Sequence, residues 1–294
     1  MKHLYGPGKI GWSFEVFPPK TTEAMEAMYA SIGELKQHAP LFISVTYGAG
    51  GSTRDLSLEI ARQIRQRFQL SVTAHFTCVG STRDDIQSWL KQAEALQVAN
   101  IMALRGDPPQ GQKQFVPVAG GFRFASELVA FIRSEFPGFG IGVAGYPEVH
   151  QEALSPEQDL ENLKRKVDLG GDVVYTQLFY DNADFLRFRD KCDRIGIRVP
   201  IVPGLLPVLN LKQVQRITSL CKAKLPAQLV EQLEARSNDP AGQMEVGIAH
   251  CTEQCQGLLE AGVPGIHFYV LNRADAVRRI LAQLRPSSSR SIDK

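Results

Sequence analysis

Short β-prone runs alternate with helix-forming segments along the whole chain. In the helical segments hydrophobic residues recur every three to four positions, as Met25, Met28, Ile32 and Leu35 do in the first, which is the spacing of one buried helix face. Eight runs of β-branched and aromatic residues lie between these segments and favour strands. The predicted strands span residues 11–17, 41–47, 71–78, 100–104, 140–146, 173–179, 201–205 and 265–270.

This alternation predicts an α/β protein with a parallel sheet. Eight consecutive βα units match a single-domain (β/α)8 TIM barrel over residues 1–285. We expect the Ser-rich segment 286–294 to form a disordered tail. In such a barrel the functional side chains lie at the carboxyl ends of the strands, so the position of a polar residue indicates its role.

Two segments are longer than ordinary connections between elements. Residues 108–121 and 222–242 both exceed the usual loop length. We expect each to act as a lid, or the second to contain an added helix.

The composition favours a cytoplasmic globular protein that is not bound to nucleic acid. The 33 basic and 31 acidic residues leave a net charge of +2 with no long basic run. No apolar stretch has the length or position of a membrane span or a secretion signal. We also expect a homo-oligomer.

The five cysteines favour reduced thiols, because their number is odd and their spacings are scattered. Cys251 and Cys255 lie four residues apart beside His250, which raises the question of a metal site. Neither a CxxC pair nor a fourth ligand is nearby, so we predict that no metal is bound.

Glu15 is a charged residue within a strand whose other residues are predicted to be buried. Phe14 and Val16 flank it and Pro18 ends the strand, which places Glu15 near the carboxyl end of the first strand. Burial there raises the pKa of a carboxyl group. A carboxylic acid kept partly protonated near neutral pH can donate a proton, so Glu15 is our candidate general acid. The alternative is an exposed glutamate at a strand end.

Asp107 follows the fourth predicted strand, in a charged pair with Arg105 around Gly106. By default such an aspartate is a turn former or a helix cap, but its place at the barrel mouth indicates a site residue. The run 140–145 satisfies GxGxxG, yet it lies within a predicted strand and does not open a helix, so we do not interpret it as a dinucleotide-binding loop.

The other polar residues at strand ends are expected to converge on the same mouth. They are Thr46, His75, Arg105, Tyr146, His150, Gln177, Tyr269 and Arg273.

These residues lie in motifs that resemble those of methylenetetrahydrofolate reductases of the bacterial, single-domain FAD-dependent type. The resemblance runs from about residue 11 to residue 281. The motifs that carry it are residues 14–20, 44–51, 105–107, 146–150, 159–166, 176–179, 203–207 and 267–269.

The resemblance implies a barrel that binds FAD noncovalently and reduces 5,10-methylenetetrahydrofolate to 5-methyltetrahydrofolate with NADH or NADPH. The hydride would pass through the flavin in a ping-pong scheme, in which nucleotide and folate use the same face in turn, and the product would supply methyl groups for methionine synthesis. It also implies that Glu15 protonates folate N10, and that Asp107 lies beside the flavin, stabilises the folate cation and holds the pterin amino groups.

The resemblance assigns further residues to each ligand. For FAD they are Thr46, His75, Leu104, Arg105, Gly106, Asp107, Phe124, Ala144, Tyr146, His150, Asp159, Asn162, Arg165 and Lys166. For folate or nicotinamide they are Gln177, Gln213, Ile217, Tyr269 and Arg273.

Two positions depart from the family pattern. Phe124 lies near a position that is often Tyr, so a hydroxyl contact is lost while stacking survives. Ile217 stands where the enterobacterial pattern has a Phe that stacks on the substrate, so this platform is aliphatic here.

Three alternatives remain open from the residues. One is a flavin barrel related to proline dehydrogenase, and another is a folate barrel that feeds methyl groups to cobalamin. The third is a folate-binding barrel without catalytic activity. On the residue evidence neither of the first two accounts for Glu15 and Asp107 together.

Overall fold

The strands and helices alternate as the hydrophobic pattern predicts. The computed structural model describes residues 1–6, 9–47, 54–108, 111 and 114–284. Within these ranges the strands are β1 (Gly11–Val16), β2 (Phe42–Val45), β3 (Val72–Thr77), β4 (Asn100–Leu104), β5 (Gly140–Gly145), β6 (Val173–Thr176), β7 (Ile201–Val202), β8 (Gly204–Leu205) and β9 (Gly265–Tyr269). The expected tail at 286–294 and part of the 44–51 motif lie outside the described residues.

The helices fill the intervals between the strands. They are α1 (Thr22–Leu35), α2 (Arg54–Phe68), α3 (Arg83–Ala95), α4 (Ala125–Glu135), α5 (Pro156–Asp168), α6 (Asn182–Arg194), α7 (Leu211–Cys221), α8 (Ala227–Glu234), α9 (Pro240–Glu260) and α10 (Asp275–Gln283). Helix α8 is the added helix expected in segment 222–242, so that prediction is confirmed. Short 3-10 helices cover Lys2–Leu4 and Lys36–His38.

The strands form one parallel sheet that closes into a barrel. Neighbours run in the order β7-β6-β5-β4-β3-β2-β1-β9-β8. Strands β7 and β8 are two pieces of the predicted seventh strand: β7 pairs with β6, and β8 pairs with β9. Pro203 separates the pieces because it has no N–H to donate, although its carbonyl accepts from the His267 amide at 2.9 Å. The predicted (β/α)8 barrel is therefore confirmed.

Helices cover the outer face of the sheet, so the strand residues that point outward are hydrophobic, whereas polar residues such as Ser44, Thr73 and His75 lie among the others. Phe14, Phe76 and Phe268 are fully buried and pack outward against the helices. Burial of such a side chain stabilises the fold by about 1.5–3 kcal/mol. Met28 and Ile32 on α1 pack into the same core, as their spacing predicts.

Successive strand residues point alternately to the helices and to the barrel interior. On β1, Phe14 and Val16 join the outer core, which leaves Ser13 and Glu15 on the inner side. In register, Glu15 lies beside Ser44 of β2 and Tyr269 of β9. Side chains distant in sequence thus meet inside the barrel.

The cysteines and histidines do not form a metal site in the described part of the chain. Cys251 and Cys255 are buried on α9, and His250 Nε2 lies 3.0 Å from the Tyr180 carbonyl oxygen. No group of three or more His, Cys, Asp or Glu side chains in the described ranges is arranged to hold a metal ion. None of the helices described is long and apolar enough to cross a membrane.

Candidate active site

A cavity of about 510 Å³ opens at the carboxyl ends of the strands. It gathers the predicted site residues Glu15, His75, Leu104, Arg105, Gly106, Asp107, Ala144, Tyr146, His150, Gln177, Ile217 and Tyr269. We call it the mouth cavity. Residues predicted from seven separate stretches of sequence therefore converge, as the position of functional side chains at the carboxyl ends of barrel strands requires.

A second cavity, of about 460 Å³, adjoins the first. The two share the lining residues Leu104, Arg105, Ala144, Tyr146 and His150. The second cavity adds the predicted residues Phe124, Asp159, Asn162, Arg165 and Lys166. We call it the side cavity. The two cavities share a wall, and together they extend from the barrel interior to helix α5.

Three predicted residues line neither cavity. Thr46 follows β2, and its amide donates to the Val16 carbonyl at 2.9 Å. Gln213 lies in the first turn of α7, where its amide donates to Asn210 Oδ1 at 2.8 Å. Arg273 is exposed after β9. Their assignments stay predictions.

Glu15 is bound by two histidines from other strands. Its Oε2 atom lies 3.1 Å from His75 Nε2 and 3.2 Å from His267 Nε2. Each ring contacts a serine hydroxyl: Ser44 Oγ is 2.9 Å from His75 Nε2, and Ser13 Oγ is 2.8 Å from His267 Nδ1. The carboxylate is thus the centre of a polar cluster inside the barrel, at the bottom of the mouth cavity.

The expectation that Glu15 is partly protonated near neutral pH is wrong for this arrangement. Burial raises the pKa of Glu15, but the charge of His75 and the hydrogen bonds from His267 and His75 together outweigh it and lower the pKa from 4.5 to about 2. Glu15 is therefore ionised at neutral pH. It is not the exposed strand-end glutamate of the alternative interpretation, because its side chain is 16% exposed.

Arg105 is fixed between the two cavities. Its guanidinium donates two hydrogen bonds to the Glu152 carboxylate, at 2.7 and 2.8 Å, and stacks over Phe115 at 5.2 Å. A bidentate pair of this kind holds the guanidinium in one orientation.

Gly106 and Asp107 form the rim beside Arg105. Gly106 has φ +89°, and a Cβ atom there would lie 3.0 Å from Thr77 Cβ, so only glycine fits without strain. Asp107 is exposed at the rim. None of the helices in the described residues begins at Asp107, so the described structure gives no support to the helix-cap interpretation.

Lys166 and Asp159 place charges in the side cavity. Lys166 Nζ donates to the Ala144 carbonyl at 2.6 Å, and burial lowers the pKa of Lys166 to about 8 against the opposing effect of Asp159. Asp159 Oδ2 accepts from the His150 amide at 3.0 Å. These contacts make the pair part of the site and not a solvated helix face.

Comparison of the sequence with known families identifies the chain. The sequence profile of the family described as methylenetetrahydrofolate reductase matches residues 1–285. The chain belongs to this family. The resemblance stated from the motifs is therefore confirmed.

Curated relatives of the family differ in length. The chain is 41% identical over 289 residues to methylenetetrahydrofolate reductase (NADH) 1 of Zea mays, covering 95% of this chain and 49% of the relative. It is 39% identical over 268 residues to 5,10-methylenetetrahydrofolate reductase of Escherichia coli, covering 91% of this chain and 88% of the relative. The chain thus spans about half the length of the plant relatives.

A solved structure supports the fold alone. An uncharacterised protein from Clostridium thermocellum that binds two copies of 5-methyl-5,6,7,8-tetrahydrofolic acid superposes with a TM-score of 0.60, at 14% identity and 96% coverage of both chains.

Several residues of this reductase-family site receive no role from the sequence alone. His267 and Ser13 are examples. Each lies two positions before a predicted site residue of the same strand, Tyr269 and Glu15 respectively. Because residues two positions apart on a strand point to the same face, this spacing could have indicated both side chains. Glu152 and Leu154 also line the side cavity. They follow β5 in an irregular segment, where no periodicity indicates which side chains face inward.

Proposed function

We propose that the chain binds FAD and reduces 5,10-methylenetetrahydrofolate to 5-methyltetrahydrofolate with NADH or NADPH, in a ping-pong cycle that supplies methyl groups for methionine synthesis. The observation that carries this proposal is the adjoining pair of cavities: partly buried Glu15 and exposed Asp107 line the mouth cavity, and the side cavity that shares its wall is lined by Arg165 and Lys166. Membership of the reductase family supports the reaction.

The side cavity has the groups that the diphosphate and adenosine of FAD require. Arg165 and Lys166 supply positive charge for a diphosphate, and Asp159 can accept from ribose hydroxyls. Phe124 and Leu154 are 49% and 93% exposed at its edge, which offers an apolar surface to an adenine ring.

The mouth cavity suits a flat polar ring. Thr77 lines this cavity, and its buried Oγ1 has no hydrogen-bond partner among the described residues. FAD bound in these cavities would supply the hydride transfer from the reduced nicotinamide to the folate. The chain itself orients the ligands and provides protons and charge.

Glu15 delivers the proton to folate N10 with the help of its histidines. Because the carboxylate is ionised, it must first take up a proton. His75 and His267 contact Oε2, and this contact provides a route by which a proton can reach the carboxylate. A folate over this cluster also excludes water, which favours the neutral carboxyl group.

Asp107 and Gln177 bind the substrate from the rim. Asp107 accepts from the pterin amino groups and stabilises the iminium cation that ring opening produces. The Gln177 side-chain oxygen accepts from the Leu178 amide at 2.9 Å, which leaves its NH2 group to donate to a ligand. Ile217 provides an aliphatic contact, and we keep Gln213, Tyr269 and Arg273 as proposed neighbours of the substrate.

Glu15→Gln tests the acid role. The amide fills the same space but cannot deliver a proton, so we expect reduction of the bound flavin by NADH or NADPH to continue at a rate within about threefold of wild type. The rate of flavin reoxidation by methylenetetrahydrofolate is expected to fall by about 10²–10⁴-fold. Both rates are measured by anaerobic stopped-flow absorbance.

Glu34→Gln is the matched control, because Glu34 is an exposed carboxylate that pairs with Arg278 and lines neither cavity. We expect it to leave both half-reactions unchanged. If Glu15→Gln slowed both half-reactions equally, the acid role would be wrong.

A further inference from the structure

The turn 146–150 connects the mouth to a distant segment of the chain. Tyr146 and His150 line both cavities, whereas Glu148 between them contacts the connection from α7 to α8. Its carboxylate oxygens accept from the Lys224 backbone amide at 3.0 and 3.3 Å. Residues 76 positions apart are thus joined beside the mouth.

The turn adopts a conformation that its residue type disfavours. Val149 has φ +74°, which is rare for a β-branched residue and persists only where the surroundings enforce it. The Val149 amide donates to the Tyr146 carbonyl at 3.2 Å, and the next amide, of His150, donates to Asp159. Because Val149 is left-handed, Glu148 can contact Lys224 while His150, two positions later, lines the mouth cavity.

The segment that contains Lys224 directly follows helix α7, and the end of α7 forms part of the wall of the mouth. A cavity of about 290 Å³ lies between Asp107 and Gln177 on one side and Ile217, Leu220 and Cys221 of α7 on the other. Leu220 is 69% exposed there. Because α7 ends at Cys221, the position of residues 222–224 determines where Ile217 and Leu220, the apolar residues at the end of α7, lie relative to the mouth.

The charges around Glu148 mostly oppose its ionisation. Burial raises the pKa of Glu148 and the charges of Asp184 and Asp181 add to this, while the amide and the charge of Lys224 act against it. The hydrogen bond to the Lys224 amide is therefore the specific contact that favours a carboxylate at this position.

We propose that Glu148 is a positioning residue that holds the end of α7 over the mouth, so that Ile217 and Leu220 form one wall of the substrate site. Glu148 acts through this wall and does not touch the reacting atoms. The proposal rests on the proposed function for the identity of the substrate, but the hydrogen bond itself can be tested without any ligand.

Hydrogen exchange of the Lys224 amide in the ligand-free protein tests the contact. Glu148→Ala removes the acceptor, so we expect exchange to become at least tenfold faster. Glu148→Gln keeps an acceptor oxygen of similar reach, and we expect exchange within about threefold of wild type. Glu148→Asp withdraws the carboxylate by one methylene group and should act like Glu148→Ala, which keeps the test valid if the alanine variant does not fold.

Lys222→Ala is the control, because it shortens a side chain in the same connection without touching the carboxylate. We expect no change in exchange of the Lys224 amide. Equal exchange in wild type and in both Glu148→Ala and Glu148→Asp would overturn the proposal.

Steady-state kinetics test the consequence for the substrate. We expect Glu148→Ala to raise the KM for methylenetetrahydrofolate about tenfold, with kcat and flavin content within twofold of wild type and with recovery in Glu148→Gln. An unchanged KM despite faster amide exchange would overturn the positioning role. A wild-type protein that does not reduce methylenetetrahydrofolate would instead contradict the proposed function, and the exchange result would still decide the contact.

Discussion

Lys166 carries a charge that is sensitive to pH within the side cavity. Burial lowers the pKa of Lys166 to about 8, so a rise in pH through this value removes a positive charge that faces the proposed diphosphate. Its neighbours do not titrate in this range: burial raises the pKa of Tyr146 above its usual value and lowers that of His150 below 6.5. Lys166 alone among these three groups therefore changes charge between pH 7 and 9.5.

We predict that FAD affinity falls as pH rises from 7 to 9.5. An anion binds the protonated amine better, and loss of one charged hydrogen bond corresponds to about a ten- to hundredfold change. Lys166→Arg stays charged and should bind FAD with little pH dependence, whereas Lys166→Met should bind weakly throughout. Fluorescence titration with FAD measures each affinity, and a wild-type affinity that is constant over this range would contradict the assignment.

The protonation of Glu15 could not be read from its own strand. The neighbours of Glu15 in sequence are hydrophobic, and from them burial alone predicts a raised pKa. His75 and His267 lie 60 or more positions away and contact Glu15 only because β3 and β9 turn the same face inward. Their charges and hydrogen bonds reverse the direction of the shift. Residue types at strand ends thus predict where a site lies better than they predict its protonation.

The interrupted seventh strand fixes part of the mouth wall. Gly204 begins β8, and its amide donates to Thr176 Oγ1 at 2.9 Å. The Thr176 carbonyl accepts from the Tyr269 hydroxyl at 2.7 Å. A side chain at position 204 would meet the Thr176 carbonyl and, at 2.7 Å, the Tyr269 hydroxyl. The close approach of the Thr176 carbonyl and the Tyr269 side chain therefore requires glycine here.

We predict that Gly204→Ala lowers the free energy of unfolding by about 1–3 kcal/mol, because the added methyl group displaces the Thr176 carbonyl and the Tyr269 side chain. Urea denaturation monitored by circular dichroism measures the change. Gly138→Ala is the matched control, since a Cβ atom there meets nothing within 4 Å, and we expect a change within about 0.5 kcal/mol. Equal effects of the two substitutions would show that the space around Gly204 is not limiting.

The strands were predictable to within one to three residues at each end because each is a hydrophobic run bounded by turn residues. The break at Pro203 was not predicted, although the proline is visible in the sequence. A proline in a short strand is compatible with a strand at the edge of a sheet or with a strand broken into two pieces. The second applies here because the barrel closes: one piece pairs with β6 and the other with β9.

At the scale of the whole molecule, the barrel and the position of its mouth follow from the order of elements. The division of the site into two cavities does not, because it depends on how the segments after β4 and β5 pack against α5. The same holds for the contact between Glu148 and Lys224, which joins two irregular segments that have no periodicity. Sequence motifs placed the residues in a family, and the tertiary structure supplies their distances.

Anaerobic stopped-flow absorbance of the purified wild-type protein tests the central claim most directly. We predict a yellow protein whose flavin absorbance is bleached by NADH or NADPH and then restored by methylenetetrahydrofolate, with one 5-methyltetrahydrofolate formed per flavin. A colourless protein that takes up no FAD, or a reduced flavin that methylenetetrahydrofolate does not reoxidise, would contradict the account.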